Sequence, residues 1–400
     1  PHHQPARPAH RDRPRDTAMT STRPRVSILQ RRLVNYRIGL FERLRDACDH
    51  RSIELRVVYG QASPSDAMRQ DAGSLDWADE VDARWFSIGG TEVVWQPCPR
   101  PARRSDLVIL TQESKILSNY PFLAARGIAD RKVAYWGHGR NLQSANADGA
   151  RERWKAMLST RVDWWFAYTA HTGEILTAAG FDPGRITVLD NAIDNEAFQR
   201  DLDAVTDEML VERRRQIDLP PDGLLGFYCG ALYDDKRVDL LVDVARRIHE
   251  AEPGFRLVVI GDGPSRPQLE ELMAPHPWAH WLGARSGLDK AAWFRLADAI
   301  LSPGAVGLHV LDAFASSLPL FTTAGAKHGP EIDYLDHGRN GFVLSDDPTE
   351  FASEVVDVLR DTERRNGVID AGRRDADRYT LDNMVENFVG GMVACLGIDG

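Results

Sequence analysis

A chain of 400 residues has room for two domains of ordinary size, each able to bury its own core. With 43% hydrophobic and 27% charged residues it sits near the soluble globular average, which excludes a disordered or fibrous protein. A formal charge of -10 argues against a nucleic-acid partner, whose phosphates select a basic surface.

Residues 1–23 are rich in Pro, Arg and His and lack apolar periodicity, which reads as a disordered leader. It has no hydrophobic core of a secretory signal, and Asp12 and Asp16 argue against a transit peptide, so the working protein is expected to start near Met19. From Arg25 short β-rich runs alternate with helical stretches: 26–29, a helix over 38–48, 53–59, 107–110, 133–136 and 164–168. Such alternation predicts β-α-β units and a parallel sheet. Residues 188–198 close this half, and a charged helical segment over 203–217 leads to Leu219-Pro220-Pro221-Asp222-Gly223, a boundary signal.

The alternation then restarts with 224–229, a helix over 238–250, 257–260, a helix near 268–273, 299–302 and 320–322. In 381–396 the apolar residues Met384, Val385, Phe388, Val389 and Met392 fall at helical spacing. The expected organisation is therefore a leader over 1–23, a Rossmann-like acceptor-side domain over 24–200, a linker over 201–222, a second Rossmann-like domain over 223–375, and a final helix over 376–400 crossing back to the first. The longest apolar runs fall far short of the roughly 20 residues a membrane helix needs. Cys48, Cys98, Cys229 and Cys395 show no C-x-x-C spacing, so neither a zinc site nor a disulfide framework is expected, and a reducing, cytoplasmic setting fits.

Two α/β domains leave a cleft at the carboxyl ends of their strands, suited to a nucleotide-linked ligand. Three strand-to-helix turns of the second half carry the chemistry. Gly230 through Arg237 places Lys236 and Arg237 at a helix start, where cations oppose the helix dipole and an anionic ligand would neutralise them; solvated surface charge is the alternative. Gly261-Asp262-Gly263-Pro264 lets backbone approach closely to a ligand or simply turns tightly. In the segment 302–314 small residues precede a helix whose first N–H groups, near Gly307 and Leu308, suit a diphosphate. Asp312 follows about one and a half turns later among apolar neighbours, as a partnered carboxylate able to accept from ribose hydroxyls.

Glu331, in His328-Gly329-Pro330-Glu331-Ile332, is a candidate for sugar hydroxyls or a solvated loop residue. In the first half His138, flanked by Gly137 and Gly139 after a strand, has little to pack against and is assigned to the cleft. Tyr36, Arg37, Arg140 and Asn141 are the acceptor-side candidates, and Trp164-Trp165-Phe166 is assigned to the core.

Together these segments resemble the retaining, nucleotide-sugar-dependent glycosyltransferases of family four, over nearly all of 25–396. Val188-Leu189-Asp190-Asn191-Ala192-Ile193-Asp194 is similar to that family's V-x-x-N-G-[VI]-D signature, with Ala192 in the glycine's place. Gly230 through Lys236 resembles its G-R-L-x-x-x-K segment, and 260–264 its I-G-D-G-P turn. The resemblance implies the GT-B fold, a donor phosphate on Lys236, the distal phosphate on the amides around Gly307 and Leu308, ribose on Asp312, the base beside Ala284-Arg285 after Gly283, and His138 near the transferred sugar.

Two departures stand out. Ala231 replaces the family's arginine, and the first of its paired glutamates falls on Gly304, the second being shortened to Asp312. Arg237 and Glu331 are the expected replacements for the missing cation and carboxylate. The implied reaction is sugar transfer with retention, by front-face attack, from a nucleotide-diphosphate sugar to a hydroxyl of a carbohydrate, a lipid-linked glycan or a small molecule, with no cofactor and no metal. A nucleotide-sugar epimerase, a sugar phosphorylase and an inactive nucleotide-sugar-binding protein are the competing readings. Arg31, Arg32 and 100–104 offer basic surface to an anionic membrane face, solvated charge being the alternative.

Overall fold

The computed structural model describes residues 23–63, 71–139 and 160–398. The first half contains β1 (Arg25–Gln30), β2 (Glu54–Gly60), β3 (Asp79–Val81), β4 (Arg84–Ile88), β5 (Thr91–Trp95), β6 (Leu107–Thr111), β7 (Lys132–Gly137), β8 (Trp164–Ala167) and β9 (Ile186–Val188). Seven of these form one parallel sheet in the order β3-β2-β1-β6-β7-β8-β9. Residues 107 to 110 of β6 are fully buried, so this strand packs on both faces, which is why its sequence is a continuous apolar run rather than an alternating one.

The second half contributes β10 (Leu225–Cys229), β11 (Arg256–Ile260), β12 (Ala279–Trp281), β13 (Ala299–Leu301), β14 (Leu320–Thr323) and β15 (Phe342–Leu344), all parallel in the order β12-β11-β10-β13-β14-β15. The expected α/β fold, two Rossmann-like parallel sheets, is present. In each sheet the strand order reverses once, between β1 and β6 and between β10 and β13. At such a reversal the loops leave in opposite directions and open a crevice beyond the carboxyl ends of the strands.

The strands β4 and β5 form a separate antiparallel ribbon, which the sequence reading does not contain. The charged segment 203–217 is not one helix. Helices Asn195–Asp203 and Asp207–Gln216 are separated at Thr206, whose extended backbone and side chain cap the second by accepting from the Met209 amide. That second helix lies against the helix Gly287–Leu296, with Arg213 donating to Asp289 at 2.6 Å.

The helix Leu381–Leu396 packs on the first sheet and its first helix, Ile38–His50. Phe388 stacks on Phe166 with ring centroids 4.6 Å apart and meets Trp136 edge-on at 5.1 Å. Trp165 and Phe166 are fully buried, as core residues. Among the described residues no helix is long and apolar enough to cross a membrane, and the four cysteines are unpaired.

Candidate functional site

The reversal between β10 and β13 brings two loops together, 230–237 after β10 and 302–308 after β13. The contact between them is made by one backbone bond and one lysine side chain. Ala305 N–H donates to the Asp235 carbonyl at 2.8 Å, and Lys236 Nζ donates to the Ala305 carbonyl at 2.6 Å. Burial lowers the Lys236 pKa, with the carboxylate of Asp235, 3.7 Å away, working in the opposite direction. The ammonium is thus held, partly desolvated, beside the loop that opens the next helix.

That helix is His309–Ser316. The amide N–H groups of Gly307 and Leu308 donate to no carbonyl among the described residues, as the free first-turn donors of a helix should. His328 braces the loop: Nδ1 accepts from the Val306 amide at 3.1 Å and Nε2 donates to the Thr323 carbonyl at 2.6 Å, which fixes the neutral tautomer. Burial lowers its pKa.

His309 contacts Ser302 Oγ through Nε2 at 3.2 Å, and its pKa is pushed down to about 3 by burial and by the charges of Lys236 and Lys290. A histidine depressed in the folded state stabilises the fold above pH 6.5 and loses that contribution as the unfolded chain takes up a proton below it. Each pH unit between 6.5 and 3 is worth about 1.4 kcal/mol for one such group, so His309 alone should account for roughly 2 kcal/mol of the change in urea-unfolding stability between pH 6.5 and 5. In His309→Gln that slope should flatten; an unchanged slope would show that His309 is not its source.

Among the donor candidates, Arg237 has a left-handed backbone, φ 53°, and its guanidinium donates to Asp346 at 2.5 Å and to Thr323 at 3.2 Å. The cation expected to replace the missing arginine is therefore already in an ion pair. Asp312 faces Lys290 at 3.3 Å: burial raises the carboxyl's pKa and Lys290 opposes the rise. Burial is the largest single influence on Lys290 and opposes its charge, but Asp312, Cys229 and Asp201 together outweigh it and the net shift is upward.

Gly261 has φ 143°, and a Cβ there would sit 1.8 Å from the Gly230 carbonyl, so a glycine is required by the crossing of two backbones. Asp262 accepts from the Gly263 amide, and exposed Arg285 pairs with Asp289. A cleft of about 750 Å³ runs along this edge, with Gly230, Gly261, Asp262, Gly263, Arg285 and Lys290 on one wall and Asn35 and Asp71 of the first half on the other.

Glu331 is 4% exposed and belongs to the short 3-10 turn Pro330–Tyr334. Its Oε1 accepts from Asn191 Nδ2 at 2.5 Å, while Oε2 faces Gly307 and Gly329, 3.9 and 3.0 Å from where a Cβ on each would lie. Burial raises its pKa; the Asn191 hydrogen bond, a bond from its own backbone N–H and the Arg37 charge pull it back. The site thus contains a buried carboxylate next to the free amides, although position 304 has no side chain.

His138 follows β7, half-buried, its ring edge-on to Tyr168 with centroids 6.4 Å apart. Tyr36 is exposed, whereas Arg37 is 5% exposed and turned inward toward Asn191. Arg140 and Asn141 lie outside the described residues. Sequence reading assigned no role to Asn191, Lys290, His309, Asn35 or Asp71. Asn191 had a signal, the family signature that contains it; the partner of Asp312 on another helix, and cleft walls from another domain, leave no local pattern. Among the described residues no group of three His, Cys, Asp or Glu side chains has the arrangement of a metal site.

Residues 224–361 match the family model described as glycosyl transferases group 1. The chain is 28% identical over 226 residues to a D-inositol 3-phosphate glycosyltransferase of Stackebrandtia nassauensis, an alignment covering 52% of this chain and 48% of that one. The chain spans about half the length of the curated relatives it matches. Its fold matches the Anabaena protein HepE in complex with UDP, with a TM-score of 0.66 at 14% identity over 92% of this chain and 99% of that one. It also matches a putative UDP-N-acetylglucosamine 2-epimerase of Listeria monocytogenes, with a TM-score of 0.62 at 13% identity over 92% and 95%.

Proposed function

We infer that this chain, whose residues 224–361 belong to the group 1 glycosyltransferases, moves a sugar from a nucleotide-diphosphate donor to an acceptor hydroxyl with retention. The observation that carries the reading is the meeting of the 230–237 and 302–308 loops, which leaves one desolvated ammonium and two unpaired amides at a single helix start. Donors fixed in this way meet the charge that develops on a departing diphosphate without having to reorganise. A nucleotide-sugar epimerase is the competing reading, and the discriminating result is nucleotide released only when an acceptor is added.

In this reading Lys236 and the Gly307 and Leu308 amides take the diphosphate, and Arg285 lies where the base enters the cleft. Asp312, held by Lys290, takes ribose, and Glu331 takes a hydroxyl of the donor sugar in place of the absent carboxylate at 304. His138 lies near the transferred sugar, and Tyr36, Arg140 and Asn141 belong to the acceptor side. Arg237 acts through Asp346, holding the loop after β10 rather than touching phosphate. Neither a metal nor a cofactor is required by this set of groups, and the acceptor is a carbohydrate, a lipid-linked glycan or a small molecule. A cytoplasmic setting, with the acceptor presented there or at a membrane face, completes the proposal.

Glu331 gives a test of the sugar end. Losing a hydrogen bond to a charged group is worth about 1.5–3 kcal/mol, so Glu331→Gln should lower kcat/KM for the donor roughly 10- to 100-fold. Binding of the free nucleoside diphosphate should stay within about twofold, since that ligand has no sugar to lose. A panel of nucleoside diphosphates and their sugars, followed by thermal shift and then by nucleotide release, checks both; equal losses for sugar and nucleotide would place Glu331 elsewhere.

A further inference from the structure

We propose that Asn191 and Arg37 are positioning residues through which the first half of the chain aims the Glu331 carboxylate at the donor sugar. The proposal rests on the reading of Glu331 given above and adds the means by which that carboxylate is oriented.

The three side chains form one buried line. Arg37 is 5%, Asn191 0% and Glu331 4% exposed. Arg37 Nη2 donates to Asn191 Oδ1 at 2.8 Å, and Asn191 Nδ2 donates to Glu331 Oε1 at 2.5 Å. The amide matches both neighbours at once, its carbonyl oxygen toward the guanidinium and its NH2 toward the carboxylate. A hydrophobic residue here would leave two buried charges without a bridge; a second carboxylate would meet Glu331 with no proton to offer.

The line also crosses the molecule. Arg37 ends the 3-10 turn before the first helix, Asn191 follows β9, and Glu331 lies in the second half. Each end is fixed independently. The guanidinium of Arg37 lies 5.3 Å from the ring centroids of Tyr36 and Trp136 and 5.8 Å from that of Tyr168, which holds its plane. The turn carrying Glu331 is tied to the first half twice more, by Thr169 Oγ1 donating to Asp333 at 2.6 Å and by the Tyr334 hydroxyl donating to the Asn191 carbonyl at 3.0 Å.

Consequently Asn191 engages Oε1 of Glu331, the residue's own backbone N–H also bonds the carboxylate, and Oε2 is turned to Gly307 and Gly329. A carboxylate without the Asn191 bond could rotate Oε2 away from the helix start. The first half thus sets the direction of a group that acts in the second.

A double-mutant cycle on binding separates positioning from a merely structural tie. Calorimetry measures Kd for UDP and UDP-glucose, GDP and GDP-mannose, and ADP and ADP-glucose, and the readout is the tightening each sugar gives over its parent nucleotide. In Asn191→Ala and in Glu331→Gln that gain should fall about tenfold while the parent nucleotide binds as before. The double variant should lose no more than either single one, because Asn191 acts only through Glu331.

If the losses add, or if Asn191→Ala keeps the gain, the positioning role is wrong while the reading of Glu331 stands. If Glu331→Gln itself keeps the gain, or no sugar of the set tightens binding to the wild type, the reading of Glu331 falls and takes this one with it. Should Asn191→Ala fail to fold, Asn191→Asp retains the shape and the acceptor for Arg37, and must abolish the gain by facing Glu331 with oxygen. Retention of the gain in that variant overturns the proposal.

Discussion

Lys236→Ala should lower kcat/KM for the nucleotide-sugar by about 10²- to 10³-fold, the effect of deleting one preorganised donor to a developing negative charge. The expectation comes from where the ammonium is held. It touches the Ala305 carbonyl at 2.6 Å and is mostly shielded from water, so its attraction for a diphosphate is screened far less than that of an exposed lysine. Burial also lowers its pKa, which means the charge is held at a cost that an anionic ligand would remove.

The loss should appear in kcat as well as in donor affinity, because charge on the departing oxygen grows in the transition state. Lys236→Arg should restore little of it: the wider guanidinium cannot occupy the space between the two loops, and a planar fork does not replace a point charge. Stability should change little in Lys236→Ala, since removing a partly desolvated charge offsets the loss of one hydrogen bond. Steady-state kinetics with thermal unfolding on the same protein gives both quantities. Unaltered turnover in a folded Lys236→Ala protein would remove the anion pocket from the mechanism.

Much of this arrangement was legible in the sequence because it is local. Continuous apolar runs such as 107–110 and 257–260 announce strands buried on both faces, and a glycine-rich turn between strand and helix announces a ligand loop. Lys236, Gly307 and Glu331 could be singled out for that reason. What stayed hidden depends on pairing between distant segments.

Arg237 and Lys236 are adjacent and alike on paper, yet a left-handed residue sends one guanidinium to Asp346, 109 positions later, while the other cation turns to Ala305. Arg37, an acceptor-side candidate in the sequence, is instead buried; the amide of Asn191 and three aromatic rings make burial of an arginine tolerable. The β4-β5 ribbon was missed although Gly89-Gly90 is a two-residue turn with both φ positive, since its strands expose Phe86, Ile88 and Trp95 and do not show the half-buried alternation that marks a strand.

Gly304→Glu, which restores the carboxylate of the family pattern, should abolish donor binding and destabilise the fold by about 3 kcal/mol or more, through overpacking against backbone that cannot move aside. A Cβ at position 304 would lie 2.4 Å from the Asp235 carbonyl oxygen and 2.4 Å from the Cα and carbonyl carbon of Lys236. Those atoms belong to the loop whose neighbouring bonds, Ala305 N–H to Asp235 and Lys236 Nζ to Ala305, hold the proposed anion pocket together. Any side chain must therefore push the two loops apart. Gly304→Ala should already show most of the stability loss, because the obstruction starts at Cβ and not at the charge.

For a domain of 150–250 residues each kcal/mol is worth roughly 2–4 °C in Tm, so a fall of about 6–12 °C is expected for both variants. The position thus exchanges a carboxylate for close approach of two backbones, and Glu331 brings a carboxylate to the Gly307 amides from the opposite loop. Pairing Gly304→Glu with Glu331→Gln tests that exchange. If the double variant recovers both Tm and donor affinity, position 304 does accommodate a carboxylate and the close packing of the two loops is not what excludes it.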